Sequence, residues 1–433
     1  MSNMYQNQAG YASATPQMPP EVLVSLAEIG ESAKEGLLAM AVGAGLQVML
    51  AMMTAEVEVL VGPKGKHQSG RSAVRHGSQD GSVTLGGRRV PVRRPRVRTA
   101  DGSGEVALPT YELFGGRQIL GAMALERMLA GLSARDYGRG LEPVGEKVAA
   151  TAASTSRSAV SRRFVAATET ALAELMSADL SARDVLVLMI DGVHFAEHTC
   201  VVALGIDTDG AKQPLALVEG STENATLVTD LLTGLRERGL DMTRPILVVI
   251  DGSKALAKAV RDVFDKPLIQ RCQEHKIRNV RDRLPDKLRS VVQRRMREAY
   301  HAEGALAAEA SLTALAAELD KTHPGAAASL REGLQETLTV MRLGVPPTLA
   351  RTLRSTNPIE SLISICRDHS TNVKRWRDGQ MALRWCAAGM GEAAGQFRRV
   401  NGHLHLRKLR DALERHFRET VTPARHNQTN QAA

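Results

Sequence analysis

Two stretches of the chain are apolar without a polar break, and they end alike: Val185 to Gly192 reads VLVLMIDG, and Ile246 to Gly252 reads ILVVIDG. Neither shows the spacing of an amphipathic helix, and both are far too short to cross a bilayer. Runs of this kind suit strands buried on both faces. The first strand is expected over Val185 to Ile190 and the fourth over Pro245 to Ile250, so each is followed at once by Asp-Gly. Between them the pattern predicts strands over Thr199 to Ile206 and Gln213 to Val218, with Asp207-Thr208-Asp209-Gly210 as hairpin turn chemistry. Thr222 is expected to cap a helix that runs to about Arg238 and stops at Gly239. A second helix is expected over Ser253 to Phe264, and a short fifth strand over Pro267 to Arg271.

The resulting order is β-β-β-α-β-α-β. Three strands joined by hairpins, then parallel strands joined through helices, is the ribonuclease H-like order: an α/β fold with a mixed sheet and helices on both faces. An Ala-, Leu-, Glu- and Arg-rich helical stretch follows and ends at Gly344-Val345-Pro346-Pro347. Only then comes Arg354-Ser355-Thr356-Asn357-Pro358-Ile359-Glu360-Ser361, where Asn357 before Pro358 reads as a helix cap and puts Glu360 in the first turn. The sheet domain is therefore expected over 184–272 and 357–390, interrupted by an all-helical insertion over 273–356.

The N-terminal part has a different character. Residues 1–20 lack periodicity and read as a disordered tail, and 21–62 read as a helical segment. Within that segment Leu37 to Ala55 carries no charge, but its Ala, Gly and Met content favours a buried helix or a helix–helix contact over a membrane span. Residues 63–115 contain Arg88, Arg89, Arg93, Arg94, Arg96 and Arg98, with Asp80 the single acid between Lys64 and Arg98. Apolar residues alternate with Arg over Val90 to Val97, which suggests a β-ribbon or a basic arm lying along phosphates. Residues 116–183 are helical by pattern. Ala153-Ser154-Thr155-Ser156 leads into a short helix around Val160 and Phe164, resembling the second helix of a helix-turn-helix, with Arg157, Ser158, Ser161, Arg162 and Arg163 as candidate DNA contacts. Residues 391–433 form a basic C-terminal region and tail.

Charge sharpens this picture. Across 433 residues, 56 Lys and Arg stand against 47 Asp and Glu, a net +9, which favours a polyanionic partner. Aromatic residues are only 3% of the chain, so its cores must be built from Ala, Leu, Val and Met. The four scattered cysteines and the lack of a secretory signal point to a reducing cytoplasm rather than a disulfide framework.

The candidate chemistry lies in Asp191, Asp251 and Glu360. Two hydrophobic strands ending in Asp-Gly bring two carboxylates to one sheet edge, where like charges repel and a divalent cation is the usual remedy. Two-metal phosphoryl transfer needs such carboxylates, with a third to complete the set. Cys272 and His275 invite a zinc reading, but no second Cys or His pair has matching spacing nearby, so they are expected to be a structural pair behind the active site.

Five stretches carry a family resemblance: Ile190-Asp191-Gly192, Leu217 to Asn224 (LVEGSTEN), Val249 to Leu256 (VIDGSKAL), Gln270 to Lys276 (QRCQEHK) and Ser355 to Glu360 (STNPIE). The chain resembles the bacterial Mutator-type insertion-sequence transposases, a DDE family with a ribonuclease H-like catalytic domain. The resemblance implies that Asp191, Asp251 and Glu360 are the catalytic acids and hold two Mg2+ or Mn2+ ions. It also implies that Cys272 and His275 are the Cys-x-x-His step after the second acid, and that the N-terminal third binds terminal inverted repeats. The expected partner is double-stranded DNA, bound by a homodimer or higher oligomer in the cytoplasm at the nucleoid, with no membrane involved. Two other readings are a DNA-binding regulator or domesticated transposase without cleavage, and a ribonuclease H-like structure-selective nuclease.

Overall fold

In the computed structural model, residues 36–66, 70–116, 118–222, 224–265 and 267–429 are described, with side chains described up to residue 419. The tail expected over 1–20 and the start of the helix expected over 21–62 lie outside the described residues. The chain forms two compact units, Met1–Arg127 with Leu132–Phe164 and Met128–Gly131 with Val165–Ala433.

The first unit is built on a hairpin of β1 (Ala73–Leu85) and β2 (Arg88–Thr99), to which β3 (Glu105–Val106) adds two residue pairs. The basic segment thus forms a β-ribbon. Helix α1 (Leu37–Val61) lays Met49, Met53, Val57 and Val61, four residues apart, onto Ala73, Val83, Val90 and Val97 of the ribbon. Among the described residues α1 is the one helix long and apolar enough to cross a membrane by length and composition. Its buried stripe and Glu56 tie it to protein: the Glu56 carboxylate accepts the Thr110 amide at 2.9 Å and the Thr110 hydroxyl at 2.5 Å. Thr110 belongs to α2 (Pro109–Gly115). Further along are α3 (Gln118–Leu129), the six-residue α4 (Glu146–Thr151) and α5 (Arg157–Ser177). The helix around Val160 and Phe164 is therefore long, 21 residues, where a short one was expected. Ala153 before it pairs with the Arg89 backbone instead of sitting in a free turn (Arg89 N to Ala153 O 3.0 Å).

The second unit holds a five-stranded sheet of β4 (Val185–Phe195), β5 (His198–Asp207), β6 (Lys212–Gly220), β7 (Leu247–Ile250) and β8 (Leu268–Arg271), in the order β6-β5-β4-β7-β8. The first three strands are antiparallel neighbours, and β7 and β8 are parallel to β4. The sheet is mixed, as the strand pattern predicts. Helices α6 (Ala225–Glu237) and α7 (Lys254–Val263) cover one face, packing Leu231, Leu235, Leu256 and Val260 on Leu188, Ile190, Val248 and Ile250. The other face presents Val187, Met189, Val202, Leu247 and Val249 to a second helical layer. That alternation within unbroken apolar runs is the signature of a strand buried on both sides.

Between β8 and the second layer stand seven helices: α8 (Gln273–Arg281), α9 (Asp286–Tyr300), α10 (Ala305–Asp320), α11 (Pro324–Arg331), α12 (Leu334–Thr337), α13 (Thr339–Arg342) and α14 (Pro347–Leu353). Most of them share a core of their own, in which Ile277, Met296, Leu312, Leu315 and Leu330 are buried together. The chain then returns to the sheet as α15 (Asn357–His369), α16 (Gly379–Gln396) and α17 (Leu406–Thr429). Ile359 and Leu362 of α15, Cys386 and Met390 of α16, and Leu406 and Leu409 of α17 complete the core of that face.

Three boundaries differ from the pattern. Strand β4 continues past Asp191 to Phe195, because β5 supplies antiparallel partners for the whole stretch, from Asp191 opposite Val202 to Phe195 opposite His198. Asn224, not Thr222, caps α6, its Oδ1 accepting the Leu227 amide at 2.9 Å. Thr356 takes the cap position of α15 and Asn357 is already helical, so Pro358 sits one place deeper in the first turn.

Candidate active site

Asp191 and Asp251 are brought together by strand register. Ile190 pairs with Ile250 at the last step of the parallel β4–β7 ladder, so the two acids follow on neighbouring strands, which run about 5 Å apart. Alternation sets the side: Met189 and Val193 face the layer containing α15, and Asp191, between them, shares that face. The Asp191 carboxylate accepts its neighbour's amide, Gly192 N, at 2.9 Å, and Asp251 accepts Ser253 N at 2.7 Å. Gly252 between them has φ +116°, a turn that a side chain would strain.

Glu360 arrives from the first turn of α15. Its Oε1 accepts the Thr356 hydroxyl at 2.5 Å and lies 3.6 Å from His275 Nδ1. Thr356 is fully buried and also stands 3.3 Å from His275 Nδ1, so one hydroxyl connects the acid to the histidine. Cys272 closes β8, its amide donating to the Ile250 carbonyl at 2.8 Å, and His275 follows in the first turn of α8. Gln273 N donates to Arg354 O at 2.9 Å, which ties the start of α8 to the approach to α15. Cys272 and His275 therefore line the same cluster as Glu360: a sulfur, an imidazole nitrogen and a carboxylate oxygen within 4.8 Å of one another.

The electrostatics follow from this crowding. Burial, and then the charge of Asp251, pushes the Asp191 carboxyl up to about 7, with Glu360 adding to the effect and His275 opposing it. His275 is pushed up to about 9 by its hydrogen bond with Cys272, against burial, and by the Cys272, Glu360 and Asp251 charges. Burial raises the Cys272 thiol, but hydrogen bonds with His275 and Thr356 outweigh it and leave the thiol below its ordinary value. Among the described residues no lysine or arginine pairs with Asp191, Asp251 or Glu360. The carboxylates hold an excess of negative charge that only His275 offsets.

A prediction follows for the metal-free protein. Between pH 4 and 7 folded Asp191 keeps a proton that the unfolded chain has lost, so stability falls as pH rises through that window. Asp191→Asn cannot show that fall. It should be more stable than the parent at pH 8 in chelator, by on the order of 2–4 kcal/mol at about 1.4 kcal/mol per pH unit, and barely so at pH 4. Chemical denaturation at the two pH values checks this, and an equal gain at both would refute it.

A buried polar network holds the cluster from behind. Arg271, 5% exposed, donates to the Gly252 carbonyl at 3.1 Å and to Glu332 at 2.7 Å, and pairs with Glu336. Gln270 donates to Thr337 O at 2.9 Å and accepts the Val340 amide at 2.8 Å, while Gln273 also donates to Thr337 O at 2.9 Å. Buried Lys276 reaches Ser329 O at 2.8 Å. The stretch from Gln270 to Lys276 thus fastens the helical insertion to the sheet. The pattern singles out its cysteine and histidine for chemistry, and the signal passed over is four long polar side chains, Gln270, Arg271, Gln273 and Lys276, at and just after an otherwise apolar strand. His194, further along β4, is exposed and stands 3.0 Å from Thr199 Oγ1. Phe264 and Tyr300, the aromatics between the second and third acids, are both 4% exposed and belong to cores.

The basic residues divide. Arg93 and Arg98 are exposed on β2, as are Arg157, Ser158, Ser161 and Arg162 on α5. Arg96 grips Glu105 with two bonds of 3.1 and 2.9 Å, and Arg94 lies 3.4 Å from Glu105 and over the Tyr111 ring. Arg88 is half-buried and donates to Glu142 O at 2.6 Å. Two expectations of DNA contact need correction. Arg89 is 9% exposed and directs its guanidinium to Ser82, Thr84 Oγ1 (3.0 Å) and Gly115 O (2.7 Å), so it braces the ribbon from inside. Arg163 is partly buried and turns back to Ser154 O at 2.8 Å.

Comparison with known proteins assigns the chain to a family. The family described as "Transposase, Mutator family" matches residues 23–399. The transposase for insertion sequence element IS6120 of Mycolicibacterium smegmatis is 32% identical over 279 residues, 63% of this chain and 84% of that protein. The transposase for ISRM5 of Rhizobium meliloti is 26% identical over 371 residues, 84% of this chain and 90% of that protein. The transposase for IS256 in transposon Tn4001 of Staphylococcus aureus is 28% identical over 226 residues, half of this chain and 55% of that protein. With a match that spans most of its length and both sheet acids within it, the chain belongs to the Mutator family of transposases.

Proposed function

We propose that this insertion-sequence transposase is a DDE enzyme whose catalytic acids are Asp191, Asp251 and Glu360. It binds the terminal inverted repeats of its element, hydrolyses a phosphodiester to free a 3′-hydroxyl, and joins that hydroxyl to another strand. The observation that carries the reading is that Asp191 within β4, Asp251 just past the end of β7 and Glu360 in the first turn of α15 come near enough for Asp251 and Glu360 both to push the Asp191 carboxyl up. The strand order and directions support reading the sheet as ribonuclease H-like.

The residues fit a pair of Mg2+ or Mn2+ ions: hard oxygen donors, mutually repelling, with no lysine or arginine from the described residues to neutralise them and only His275 beside Glu360. Ions held by Asp191, Asp251 and Glu360 would activate the attacking oxygen and stabilise the leaving one, and both steps, hydrolysis and strand transfer, are in-line displacements that one site can serve. The chain's own contribution is placement. Strands β4 and β7 hold two carboxylates rigidly, and Thr356 fixes the orientation of the third. Exposed Arg93 and Arg98 on the ribbon, and Arg157, Ser158 and Arg162 on α5, suit phosphate contacts that set the DNA in register. Joining two element ends calls for a homodimer or higher oligomer on DNA.

The test is incubation of the protein with duplexes carrying the element's ends, with and without Mg2+. Nicking at the end sequence only when Mg2+ is present is the expected result. End binding with no cleavage in Mg2+ would favour a DNA-binding regulator, and cutting of branched DNA regardless of sequence would favour a structure-selective nuclease.

A further inference from the structure

Next to the three hard carboxylates the fold assembles a softer donor set. Cys272 Sγ, an imidazole nitrogen of His275 and a Glu360 carboxylate oxygen all lie within 4.8 Å of one another, with His275 Nδ1 and Glu360 Oε1 at 3.6 Å. Cys272 is fully buried, whereas His275 and Glu360 are 21% and 40% exposed at their side chains, so the cluster opens on one side. Thiolate, imidazole and carboxylate together suit Zn2+ far better than Mg2+, which prefers oxygen and water. Zinc bonds of about 2.0–2.3 Å place tetrahedral donors roughly 3.3–3.7 Å apart. The nitrogen and oxygen already meet that spacing at 3.6 Å, and the sulfur lies within 4.8 Å of both. The buried Thr356 hydroxyl, at 2.5 Å from Glu360 Oε1, would orient the carboxylate ligand from behind. The expectation of a purely structural pair rests on the lack of a second Cys or His pair close in sequence, but the third donor comes from α15.

We propose that Cys272, His275 and Glu360 form a Zn2+ site with water in the fourth position, and that zinc bound there withdraws Glu360 from Asp191 and Asp251 and so inhibits the transposase. Binding forms one bond each from sulfur, nitrogen and oxygen to the ion, and the one proton that the Cys272 thiol and His275 imidazole share passes to water, leaving a thiolate and a neutral imidazole, with no change of oxidation state. The inhibition rests on the reading of Glu360 as the third catalytic acid; the binding does not.

The experiment uses the full chain stripped of metal by a chelator and then titrated with Co2+, whose bond to a thiolate gives a charge-transfer absorption, followed by Zn2+ as competitor. One equivalent of Co2+ should produce the band, and one equivalent of Zn2+ should bleach it. Cys272→Ser should remove the band, and Glu360→Gln should keep it while weakening binding about 10- to 100-fold. No band, or a band that survives Cys272→Ser and so belongs to Cys200, Cys366 or Cys386, would overturn the site. Should Cys272→Ser fail to give a cooperative melt, His275→Ala takes its place and must weaken Zn2+ binding at least about tenfold. In a second arm, end cleavage is measured in saturating Mg2+ with increasing Zn2+. Wild type should lose activity as the site fills, and Cys272→Ser should need at least about tenfold more Zn2+ for half-inhibition of its own zinc-free rate. Zinc binding with undiminished cleavage would overturn the inhibition. Absence of Mg2+-dependent cleavage without zinc would instead count against the assignment of the three acids.

Discussion

Asp251→Ala should abolish Mg2+-dependent cleavage at the element's ends, lowering the rate by at least on the order of 10²–10³-fold, while end binding persists. The expectation rests on where Asp251 stands. It ends β7 at the step where Ile250 pairs with Ile190, so its carboxylate is the neighbour that most raises Asp191 after burial itself. Without it, Asp191 loses its repelling partner, and the divalent cation proposed for this site would lose one of its carboxylate ligands. Asp191→Ala and Glu360→Ala should behave alike. The losses should not add, because a site that works as one unit is already dead when one member is gone. Gel-shift titration with end DNA separates binding from chemistry. Full cleavage by Asp251→Ala would refute the acid assignment.

Arg271→Ala should destabilise the second unit by about 1.5–3 kcal/mol, because it removes the buried member of charge-assisted bonds whose carboxylates, 38% and 20% exposed, keep some contact with water. The side chain lies between the sheet and the insertion, bonded to Glu332, Glu336 and the Gly252 carbonyl. Lys276 also reaches Glu332, at 3.1 Å, and Arg261 also pairs with Glu336, so the effect should fall toward the lower end of that range. Because Gly252 follows Asp251, the variant should also bind Mg2+ more weakly at temperatures where it is still folded. Denaturant titration and calorimetric Mg2+ binding measure the two effects. A loss below about 1 kcal/mol would mean that water satisfies both glutamates and that the insertion is held by its apolar contacts alone.

The sheet was legible because its central strands are buried on both faces, and apolar runs as short and unbroken as VLVLMI and LVVI suit few elements besides a covered strand. Asp191, Asp251 and the first-turn position of Glu360 were legible for a related reason: each is a polar residue where a strong local pattern stops or starts. The extension of β4 to Phe195 was not, since it depends on which residues of β5 lie opposite. At α6 two cap residues compete within three positions, and only the three-dimensional path selects Asn224. Arg89 and Arg93 look equivalent in an alternating basic strand, yet Ser82, Thr84 and Gly115 enclose one of them, while the other is exposed and bonds across the hairpin to Ser78. The meeting of Cys272 and His275 with Glu360 joins segments separated by the whole helical insertion, and no local spacing rule reaches that far.

The alternation along β4 has a consequence for how the gene can change. Deleting a single residue between Val187 and Ile190 would turn every following side chain over, moving Asp191 from the layer of α15 to that of α6 and α7 and sending Ile190's neighbours into the wrong core. Such a chain would lose its acid and its packing in one event. Deletion of two residues restores the parity and leaves the carboxylate facing the right way, though one pleat short of Asp251, so reading-frame-preserving losses here are unequal: odd ones destroy the protein, and even ones merely misplace its chemistry.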